Sequence, residues 1–294
     1  MDKASGEVAA HEMARMRFAI PSGAKGLTRP ALPFLRWPGG KRWAAAQIAA
    51  LIRPRLSGRY LEPFLGGAAV YFSLGHPHSL LSDLNPDLIN TYRIVRDNVD
   101  RLIAGLSDLG VSETVFYKLR GYVPSDPVAR AVRFLYLNRT AFAGMYRLNR
   151  RGKFNVPYGG GERKPDVLWK TSLLRGASAA LRGTDLCTCD FEFVLDAARA
   201  GDVVYCDPTY TVTHNNNGFR RYNEKNFSWE DQERLAKAAA RATRRGASVL
   251  VSNAHHFEIF RLYRGSQFLS LARPSTLSAD PSKRREVTEF LIIV

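Results

Sequence analysis

Short apolar runs along the chain predict the strands of an α/β fold. The clearest run is Val-Val-Tyr-Cys over residues 203–206, directly before Asp207. A run of this length with β-branched and aromatic residues is typical of a buried strand. Further strand-like runs cover residues 60–61, 80–83, 184–193, 248–252 and 287–294. Open α/β sheets bind ligands beyond the carboxyl ends of their strands, so the loop that begins at Asp207 is the first candidate site.

Stretches with a helical period separate these runs. They cover residues 43–52, 68–74, 88–95 and 128–137. Another helix is expected to begin at Ser228, because serine is a favourable N-cap and Glu230 and Asp231 add negative charge to the first turn. Strands that alternate with helices in this way indicate an α/β domain.

The loop after the strand over residues 203–206 carries candidate chemistry. Asp207 and the backbone carbonyl of Pro208 are two hydrogen-bond acceptors, and Tyr210 provides a flat ring. Together they can hold a planar exocyclic amine by both of its N–H groups and stack on its ring. Asp and Pro are also common turn residues, so an ordinary turn at the end of a strand stays open as the alternative.

Residues 60–74 combine a strand, a glycine turn and the start of a helix. Gly66 and Gly67 provide the turn, and glycines allow a backbone to approach a ligand closely. This order is typical of a nucleotide-binding α/β unit. The stretch lacks the G-x-G-x-x-G pattern, so it does not suit the pyrophosphate of a dinucleotide.

Asp83 ends the next predicted strand. An acidic residue at this place commonly accepts hydrogen bonds from ribose hydroxyls. The stretch from Asp83 through Asn85 to Asp87 is also a good cap for the helix over residues 88–95. The ribose role is favoured because a glycine loop precedes Asp83, and the capping role stays open.

Gly39, Gly40 and Lys41 lead into the helix over residues 43–52. Free backbone N–H groups, the positive end of a helix dipole and an ammonium suit an anionic group such as a carboxylate. An ordinary turn before a helix explains the same residues, so both interpretations stay open.

The charge of the chain favours a polyanionic partner. Its 294 residues include 43 Lys and Arg against 27 Asp and Glu, a formal charge of +16. Basic residues gain affinity for nucleic acids because each neutralised phosphate releases counterions. A generally basic, solubilising surface is the alternative.

Cysteine and histidine usage argues against a disulfide framework or a metal centre. The three cysteines are Cys187, Cys189 and Cys206, and the six histidines show no ligand spacing around them. The pair His255 and His256 is expected in a loop or at a helix start. We expect no metal. Without a signal-peptide pattern or an apolar run of membrane length, we expect a soluble, cytoplasmic protein.

Residues 138–159 interleave basic residues with aromatic residues and asparagines. Arginine can pair with guanine and asparagine with adenine, while aromatic rings wedge between or stack on bases. Residues 147–153 resemble a basic hairpin with Arg151 and Gly152 at its turn. A solvated hairpin is the alternative, but the aromatic residues favour nucleic-acid recognition.

The changes in pattern predict a domain organisation. Residues 1–30 are expected to form a tail, residues 31–100 and 185–294 a catalytic domain, and residues 101–184 a recognition insertion. The Asn-rich loop over residues 213–217 either closes over a substrate or is simply mobile. A basic loop over residues 283–285 precedes the last strand.

Five motifs in this order resemble the Dam-type, α-class N6-adenine-specific DNA methyltransferases, over residues 34–294. The motifs are F-L-R-W-P-G-G-K, Y-L-E-P-F-L-G-G-A-A-V-Y-F, S-D-L-N-P-D-L-I-N-T-Y, F-L-Y-L-N-R-T-A-F-A-G-M-Y-R-L-N-R-R-G-K-F-N-V-P-Y-G and Y-C-D-P-T-Y. The resemblance implies a Rossmann-like sheet that binds S-adenosylmethionine, with an inserted, mostly helical target-recognition domain that carries a β-hairpin.

The resemblance also implies roles for single residues. The catalytic residues are Asp207, Pro208 and Tyr210. The cofactor-binding residues are Trp37, Lys41, Glu62, Phe64, Gly66, Asp83, Asp190, Phe191 and Asp207. The DNA-binding residues are Arg139, Phe142, Arg147, Asn149, Arg151 and Lys153.

The chain departs from the pattern of this family at two places. The catalytic motif is usually D-P-P-Y, and Thr209 replaces the second proline, which removes stiffness but no chemical group. Ala141 and Ala143 stand where relatives often have Gly and Asn, so the target sequence does not carry over.

The resemblance implies methyl transfer from S-adenosylmethionine to N6 of an adenine flipped out of double-stranded DNA. It also implies a monomer associated with the nucleoid of a bacterial or phage-infected cell. Two alternatives stay open. One is a catalytically impaired DNA-binding relative, because Thr209 departs from the usual catalytic motif, and the other is an RNA adenine methyltransferase.

Overall fold

The computed structural model describes residues 31–149, 151–161, 168–211, 227–274 and 286–294. Three of the predicted segments therefore lie outside the described residues. They are the N-terminal tail, the Asn-rich loop and the basic loop over residues 283–285.

Helices and strands alternate along the described chain. The α-helices are α1 (Ala45–Ile52), α2 (Ala69–Leu74), α3 (Pro86–Asp97), α4 (Val99–Ser107), α5 (Glu113–Gly121), α6 (Pro127–Thr140), α7 (Thr171–Leu181), α8 (Phe191–Asp196), α9 (Trp229–Arg244) and α10 (Phe257–Leu262). The strands are β1 (Tyr60–Glu62), β2 (Ser79–Asp83), β3 (Asp185–Thr188), β4 (Val203–Cys206), β5 (Ser248–Ala254), β6 (Gln267–Pro274) and β7 (Glu286–Ile293).

The chain divides into two compact units. In the described residues, the first unit comprises Pro54–Phe64 and Phe191–Val294. Its strands lie in the order β1-β4-β5-β7-β6. Strand β4 runs parallel to β1 and β5, whereas β7 runs antiparallel to β5 and β6. Strand β4 lies between β1 and β5, and all four of its residues are buried. The loop that begins at Asp207 therefore leaves the carboxyl end of a central strand.

The second unit contains residues 31–53 and Leu65–Asp190. Strands β2 and β3 pair in parallel within it. Helices α3, α4 and α5 all pack against α6, which lies among them. Most residues of α6 from 131 to 140 are buried, because a helix surrounded by other helices can be apolar on nearly every side.

Two helices begin where their capping residues predict. The Asn85 side chain accepts hydrogen bonds from the backbone N–H groups of Asp87 and Leu88 at the start of α3. Ser228 and Asp231 form a reciprocal capping box at the start of α9. Such caps satisfy N–H groups that have no partner within the helix.

Three strands differ from the pattern-based prediction. The strand-like run over residues 184–193 ends as a strand at Thr188, and Phe191 begins helix α8. Strand β5 extends to Ala254, since its last residues pair with β7. Strand β6 was not predicted; it forms because its backbone pairs with β7 along its whole length.

The mixed α/β class expected from the sequence is confirmed by these seven strands and their intervening helices. The boundaries that separate a catalytic domain from an insertion over residues 101–184 stay a prediction. Among the described residues, no helix is both long enough and apolar enough to cross a bilayer.

Candidate functional site

The loop after β4 presents the candidate amine-binding groups. Asp207 is half-buried, Pro208 is buried, the Thr209 side chain is exposed and Tyr210 is half-buried. The residue that departs from the usual motif is therefore the exposed one of the four. The two acceptors and the ring belong to the better packed part of the loop.

Glu289 fixes the hydroxyl of Tyr210. The phenol donates a hydrogen bond to Glu289 Oε2 at 2.8 Å, and Glu289 is only 7% exposed within β7. Sequence reasoning missed Glu289. The sequence does carry a signal for it, because Glu289 is an acidic residue directly before the apolar run over residues 290–294. A buried carboxylate in such a strand requires a hydrogen-bonding partner.

Acidic side chains lie close to Tyr205 and Tyr210. Burial raises the pKa of Tyr210 well above its usual value, and the nearby charges of Asp207 and Glu289 raise it further. Burial raises the pKa of Tyr205 as well, again with contributions from Asp207, Glu62 and Glu289. Tyr210 therefore stays a neutral phenol that donates to Glu289 over the physiological pH range.

A buried chain of hydrogen bonds holds the residue after Tyr210. Thr211 donates its hydroxyl to the carbonyl of Phe227 at 3.0 Å and accepts a hydrogen bond from Gln232 at 3.2 Å. Gln232 in turn accepts from the side-chain amide of Asn253 at 2.9 Å. Gln232 and Asn253 are fully buried, so this series of hydrogen bonds is shielded from water and restrains Thr211.

Phe64 and Phe191 come together although 127 positions separate them. Their rings stack with centroids 5.4 Å apart and an interplanar angle of 24°. The Arg234 guanidinium lies 4.7 Å from the centroid of the Phe191 ring. Nearby in sequence, Glu62 is buried at the end of β1 and accepts a hydrogen bond from Tyr60 at 2.7 Å. The structure thus brings two of the predicted cofactor residues into direct contact.

The glycine loop of the second unit is held by Asp83. Asp83 Oδ2 accepts from the Gly66 N–H at 3.1 Å, and Oδ1 accepts from the Asn85 N–H at 3.0 Å. Within the stretch from Asp83 to Asp87, Asn85 caps α3, so the capping interpretation of this stretch is confirmed, and Asp83 itself holds the glycine loop. Burial raises the pKa of Asp83, although backbone hydrogen bonds from Asn85, Gly66 and Leu84 act against this shift.

Trp37 covers the glycine loop. A Cβ atom placed on Gly66 would lie 2.8 Å from the indole of Trp37, and one on Gly67 would lie 3.1 Å from the Trp37 side chain. Gly66 also has a positive φ of 44°. Glycine is therefore needed at position 66 for two reasons, its backbone conformation and the close approach of the indole.

The other predicted cofactor residues of this unit lie near chain turns. Lys41 is 4% exposed and donates to the carbonyl of Gly39 at 3.3 Å. Asp190 is half-buried just before the start of α8. Lys41 thus closes the turn that precedes α1.

The predicted hairpin is present. Leu148 and Phe154 form an antiparallel bridge, and the Asn149 N–H donates to the carbonyl of Lys153 at 2.8 Å. Asn149 Oδ1 accepts from the N–H groups of Arg151 and Lys153 at 2.9 and 3.0 Å. Its side chain therefore builds the turn, an observation that favours a structural role over the predicted base contact.

The remaining DNA-binding candidates differ in exposure. Phe142 is 55% exposed, and Arg151 and Lys153 are also exposed. Arg147 is half-buried, and its Nε donates to Asn155 Oδ1 at 2.9 Å. Arg139 is half-buried in the last turn of α6. The hairpin thus offers exposed basic groups beside one arginine that is held in place.

Comparison with known proteins shows the family. A model of the D12 class N6 adenine-specific DNA methyltransferases matches residues 37–276, and the chain belongs to this family. The type II methyltransferase M.MjaIII of Methanocaldococcus jannaschii is 33% identical over 89% of this chain and 98% of its own. The DNA adenine methylase of Haemophilus influenzae is 33% identical over 89% and 93%. That of Escherichia coli K12 is 33% identical over 88% and 94%.

Family membership confirms the enzyme class predicted from the motifs. The chain is an S-adenosylmethionine-dependent DNA methyltransferase specific for the N6 position of adenine. The family implies DNA as the substrate and S-adenosylmethionine as the co-substrate. Asp83 fits such a co-substrate, because a carboxylate can accept up to about four hydrogen bonds and so can also bind a ribose hydroxyl.

Proposed function

We propose that this chain methylates N6 of an adenine that it flips out of double-stranded DNA, with Asp207, Pro208 and Tyr210 as the catalytic residues. The observation that carries the proposal is the loop after β4, with its two acceptors beside a ring fixed by Glu289. An exocyclic amine has two N–H groups and a planar ring, which match these three groups.

The amine needs activation because its lone pair is delocalised into the adenine ring. Asp207 and the Pro208 carbonyl accept its two N–H groups and draw the nitrogen towards tetrahedral geometry. S-adenosylmethionine supplies the electrophilic methyl group. The positive charge that develops on N6 is stabilised by Asp207 and by the negative surroundings of the loop. The proton that N6 releases leaves along its hydrogen bond to Asp207.

Several residues support a cofactor role. Asp83 accepts a ribose hydroxyl while it holds Gly66 in place, and Trp37 packs over the same loop. Phe64 and Phe191 offer aromatic faces to an adenine. For Lys41, Glu62 and Asp190, the support is the resemblance to the family alone.

The hairpin supplies the DNA contacts in this proposal. Arg147 approaches a base edge, Phe142 wedges into the duplex, and Arg151 and Lys153 contact phosphates. Extrusion of one base costs a few kcal/mol, on the order of 2–4, which stacking on Tyr210 and groove contacts offset. The net charge of +16 adds a non-specific attraction to DNA. We further propose that the protein acts as a monomer in the cytoplasm, at the nucleoid.

A mapping experiment tests this function. The protein is incubated with S-adenosylmethionine carrying a labelled methyl group and with duplex DNA of mixed sequence, with RNA of matched sequence as the control. We expect label on N6 of adenine in DNA, at one recurrent sequence. Label on RNA alone would favour an RNA methyltransferase. Binding of DNA and cofactor without transfer would favour the impaired relative, and Thr209→Pro would then be tested for restored activity.

A further inference from the structure

Tyr146 belongs to an aromatic cluster that joins distant parts of the second unit. Its ring stacks on Trp37 with centroids 5.4 Å apart and an interplanar angle of 20°. Phe134 of α6 lies 5.0 Å from Tyr146 and 6.4 Å from Trp37. Phe154 of the hairpin meets the Tyr146 ring edge-on at 5.6 Å. Four rings from three separate chain segments therefore pack as one cluster.

One side of this cluster contacts the glycine loop. The indole of Trp37 fills the space that a Cβ atom on Gly66 would occupy. A shift of the indole would therefore change the packing of the glycine loop. The side chain of Asn85, two residues beyond Asp83, lies close enough to Tyr146 to lower the pKa of its phenol. Burial, with charges on Asp87 and Asp83, raises the pKa of Tyr146 to about 12, which keeps the phenol neutral.

The other side of the cluster is the hairpin. Tyr146 directly precedes Arg147, whose guanidinium is held by Asn155. The Asn155 N–H also donates to the Arg147 carbonyl at 3.1 Å. Because Phe154 packs on Tyr146, both strands of the hairpin are fastened to the same ring.

A second set of contacts fixes the segment that carries Trp37. The Asn138 side chain accepts from the Arg36 N–H at 3.0 Å and donates to the Arg36 carbonyl at 2.6 Å. A Cβ atom on Gly144 would lie 2.5 Å from the Arg36 side chain. Arg36 and Trp37 therefore pack against the residues that lead into the hairpin, so they cannot move independently of it.

We propose that Tyr146 is a positioning residue that couples the cofactor loop to the base contact of Arg147. When the glycine loop and Trp37 are ordered by cofactor, the stacked Tyr146 ring holds Arg147 in one orientation, so sequence discrimination becomes sharper. Linkage makes the effect reciprocal, because a cognate duplex must then increase cofactor affinity by the same factor. The proposal rests on the proposed function of the hairpin and the glycine loop.

The test measures sequence preference with and without a cofactor analogue that cannot transfer a methyl group, sinefungin. Wild-type protein selects duplexes from a randomised pool under both conditions, and the enriched positions are sequenced. Dissociation constants are then measured for the preferred duplex and for one with a single changed base pair. We expect sinefungin to raise the ratio of these two constants at least about fivefold, a typical coupling between sites.

Variants at position 146 separate the ring from the hydroxyl. In Tyr146→Leu the ratio should no longer respond to sinefungin, while Tyr146→Phe keeps the stack and should retain most of the response. Tyr122→Ala is the matched control, because Tyr122 is a largely exposed tyrosine of the same unit. If Tyr146→Leu fails to fold, Tyr146→Met takes its place.

Two outcomes would overturn the coupling. One is a wild-type ratio that sinefungin leaves unchanged, and the other is a full response in a folded Tyr146→Leu or Tyr146→Met protein. Either result leaves the proposed function intact, provided that wild type still binds the analogue, prefers one sequence and transfers methyl groups. If wild-type protein shows none of these three properties, the proposed function is wrong, and the coupling that rests on it is wrong as well.

Discussion

The hydroxyl of Tyr210 donates to the carboxylate of Glu289 across 2.8 Å, and this hydrogen bond ties the loop after β4 to strand β7. Strand β7 pairs on both sides, with β5 and with β6, so Glu289 sits on a well supported backbone. If the ring stacks on an extruded base as proposed, it gains from such an anchor, because its orientation is set before the base arrives.

Removal of the Glu289 carboxylate should therefore slow methyl transfer. We expect Glu289→Ala to lower the single-turnover rate by about tenfold or more, since a hydrogen bond to a charged group contributes roughly 1.5–3 kcal/mol. Glu289→Gln keeps an acceptor oxygen and should fall between Ala and wild type. Rapid-quench assays with labelled S-adenosylmethionine measure these rates.

Tyr210→Phe provides the matched control. It removes the hydroxyl and keeps the ring, so its effect should not add to that of Glu289→Gln in the double variant. Strictly additive losses would show that Glu289 acts on the reaction by another route, and the assignment as an anchor for Tyr210 would be dropped.

Local sequence was sufficient for the parts of the site that adjoin one another along the chain. Val203 to Cys206 predicted a strand, and Asp207 to Tyr210 predicted the loop beyond it, because strand and loop are consecutive. The same holds for Gly66, whose turn follows β1 directly.

Contacts between distant residues could not be predicted in this way. Glu289 reaches Tyr210 through the pairing of β7 in the sheet, across 79 positions. Trp37 reaches Tyr146 across 109 positions, because Arg36 is fastened to Asn138 of α6. Periodicity identifies which residues are buried in an element, but the register between elements decides which buried residues meet.

Asp83 should make cofactor binding sensitive to mild acid. Burial raises its pKa, so protonation begins at a higher pH than for an ordinary aspartate. Ribose hydroxyls that donate to the carboxylate favour its charged form and lower its pKa in the complex. Binding should therefore release protons, and affinity should fall as the pH is lowered through the pKa of the free protein. Calorimetry of sinefungin binding in buffers of different ionisation enthalpy measures both effects.

Asp83→Asn is the control for this prediction. It removes the titrating group, so binding should be weaker by about tenfold or more at neutral pH, the loss of a charge-assisted hydrogen bond. Proton release from this site should also disappear. If a folded Asp83→Asn protein binds sinefungin as tightly as wild type, Asp83 does not contact the cofactor.

Gly66→Ala should weaken both the fold and cofactor binding. The new Cβ would meet the Trp37 indole at 2.8 Å and would occupy a backbone with a φ of 44°. Gly75→Ala is a matched control, since Gly75 has a φ of 67° with nothing within 4 Å of a new Cβ. We expect Gly66→Ala to lower the free energy of unfolding by at least about 1 kcal/mol more than Gly75→Ala, the usual cost of overpacking.

Chemical denaturation measures that difference, and calorimetry measures sinefungin affinity for the same two variants. Gly75→Ala should leave the affinity unchanged. Equal losses of stability in the two variants would mean that the indole moves aside without cost, and Trp37 would not constrain the glycine loop.

Arg147→Ala should relax sequence preference at one position of the target. A bidentate contact between arginine and a base discriminates by about 1–3 kcal/mol. The Arg147 guanidinium, held by Asn155, is proposed to make such a contact. Arg151→Ala, at an exposed residue of the same hairpin, should instead weaken binding evenly and reduce the salt slope by about one unit. Methylation profiles over randomised sites, with binding at several salt concentrations, separate the two effects. An unchanged profile for Arg147→Ala would remove Arg147 from base recognition.

Asp207→Ala should abolish most of the chemical step while DNA binding stays near its wild-type value. In the proposed mechanism the carboxylate stabilises charge that appears only as the methyl group transfers, so its loss should affect the transition state more than the bound state. We expect the single-turnover rate to fall at least about a hundredfold, or roughly 2.7 kcal/mol. Asp207→Asn keeps one acceptor oxygen without the negative charge, so its rate should lie between those of Ala and wild type.

Duplex affinity measured on the same proteins shows where Asp207 acts. Phosphate and groove contacts carry most of the affinity for DNA, so both Asp207 variants should bind duplex within about twofold of wild type. A parallel loss of affinity and rate would instead indicate that Asp207 holds the flipped base without activating its amine. If Asp207→Ala transfers methyl groups at the wild-type rate, the loop after β4 is not the catalytic site. The three groups at Asp207, Pro208 and Tyr210 would then form an ordinary turn, the simpler interpretation of this sequence.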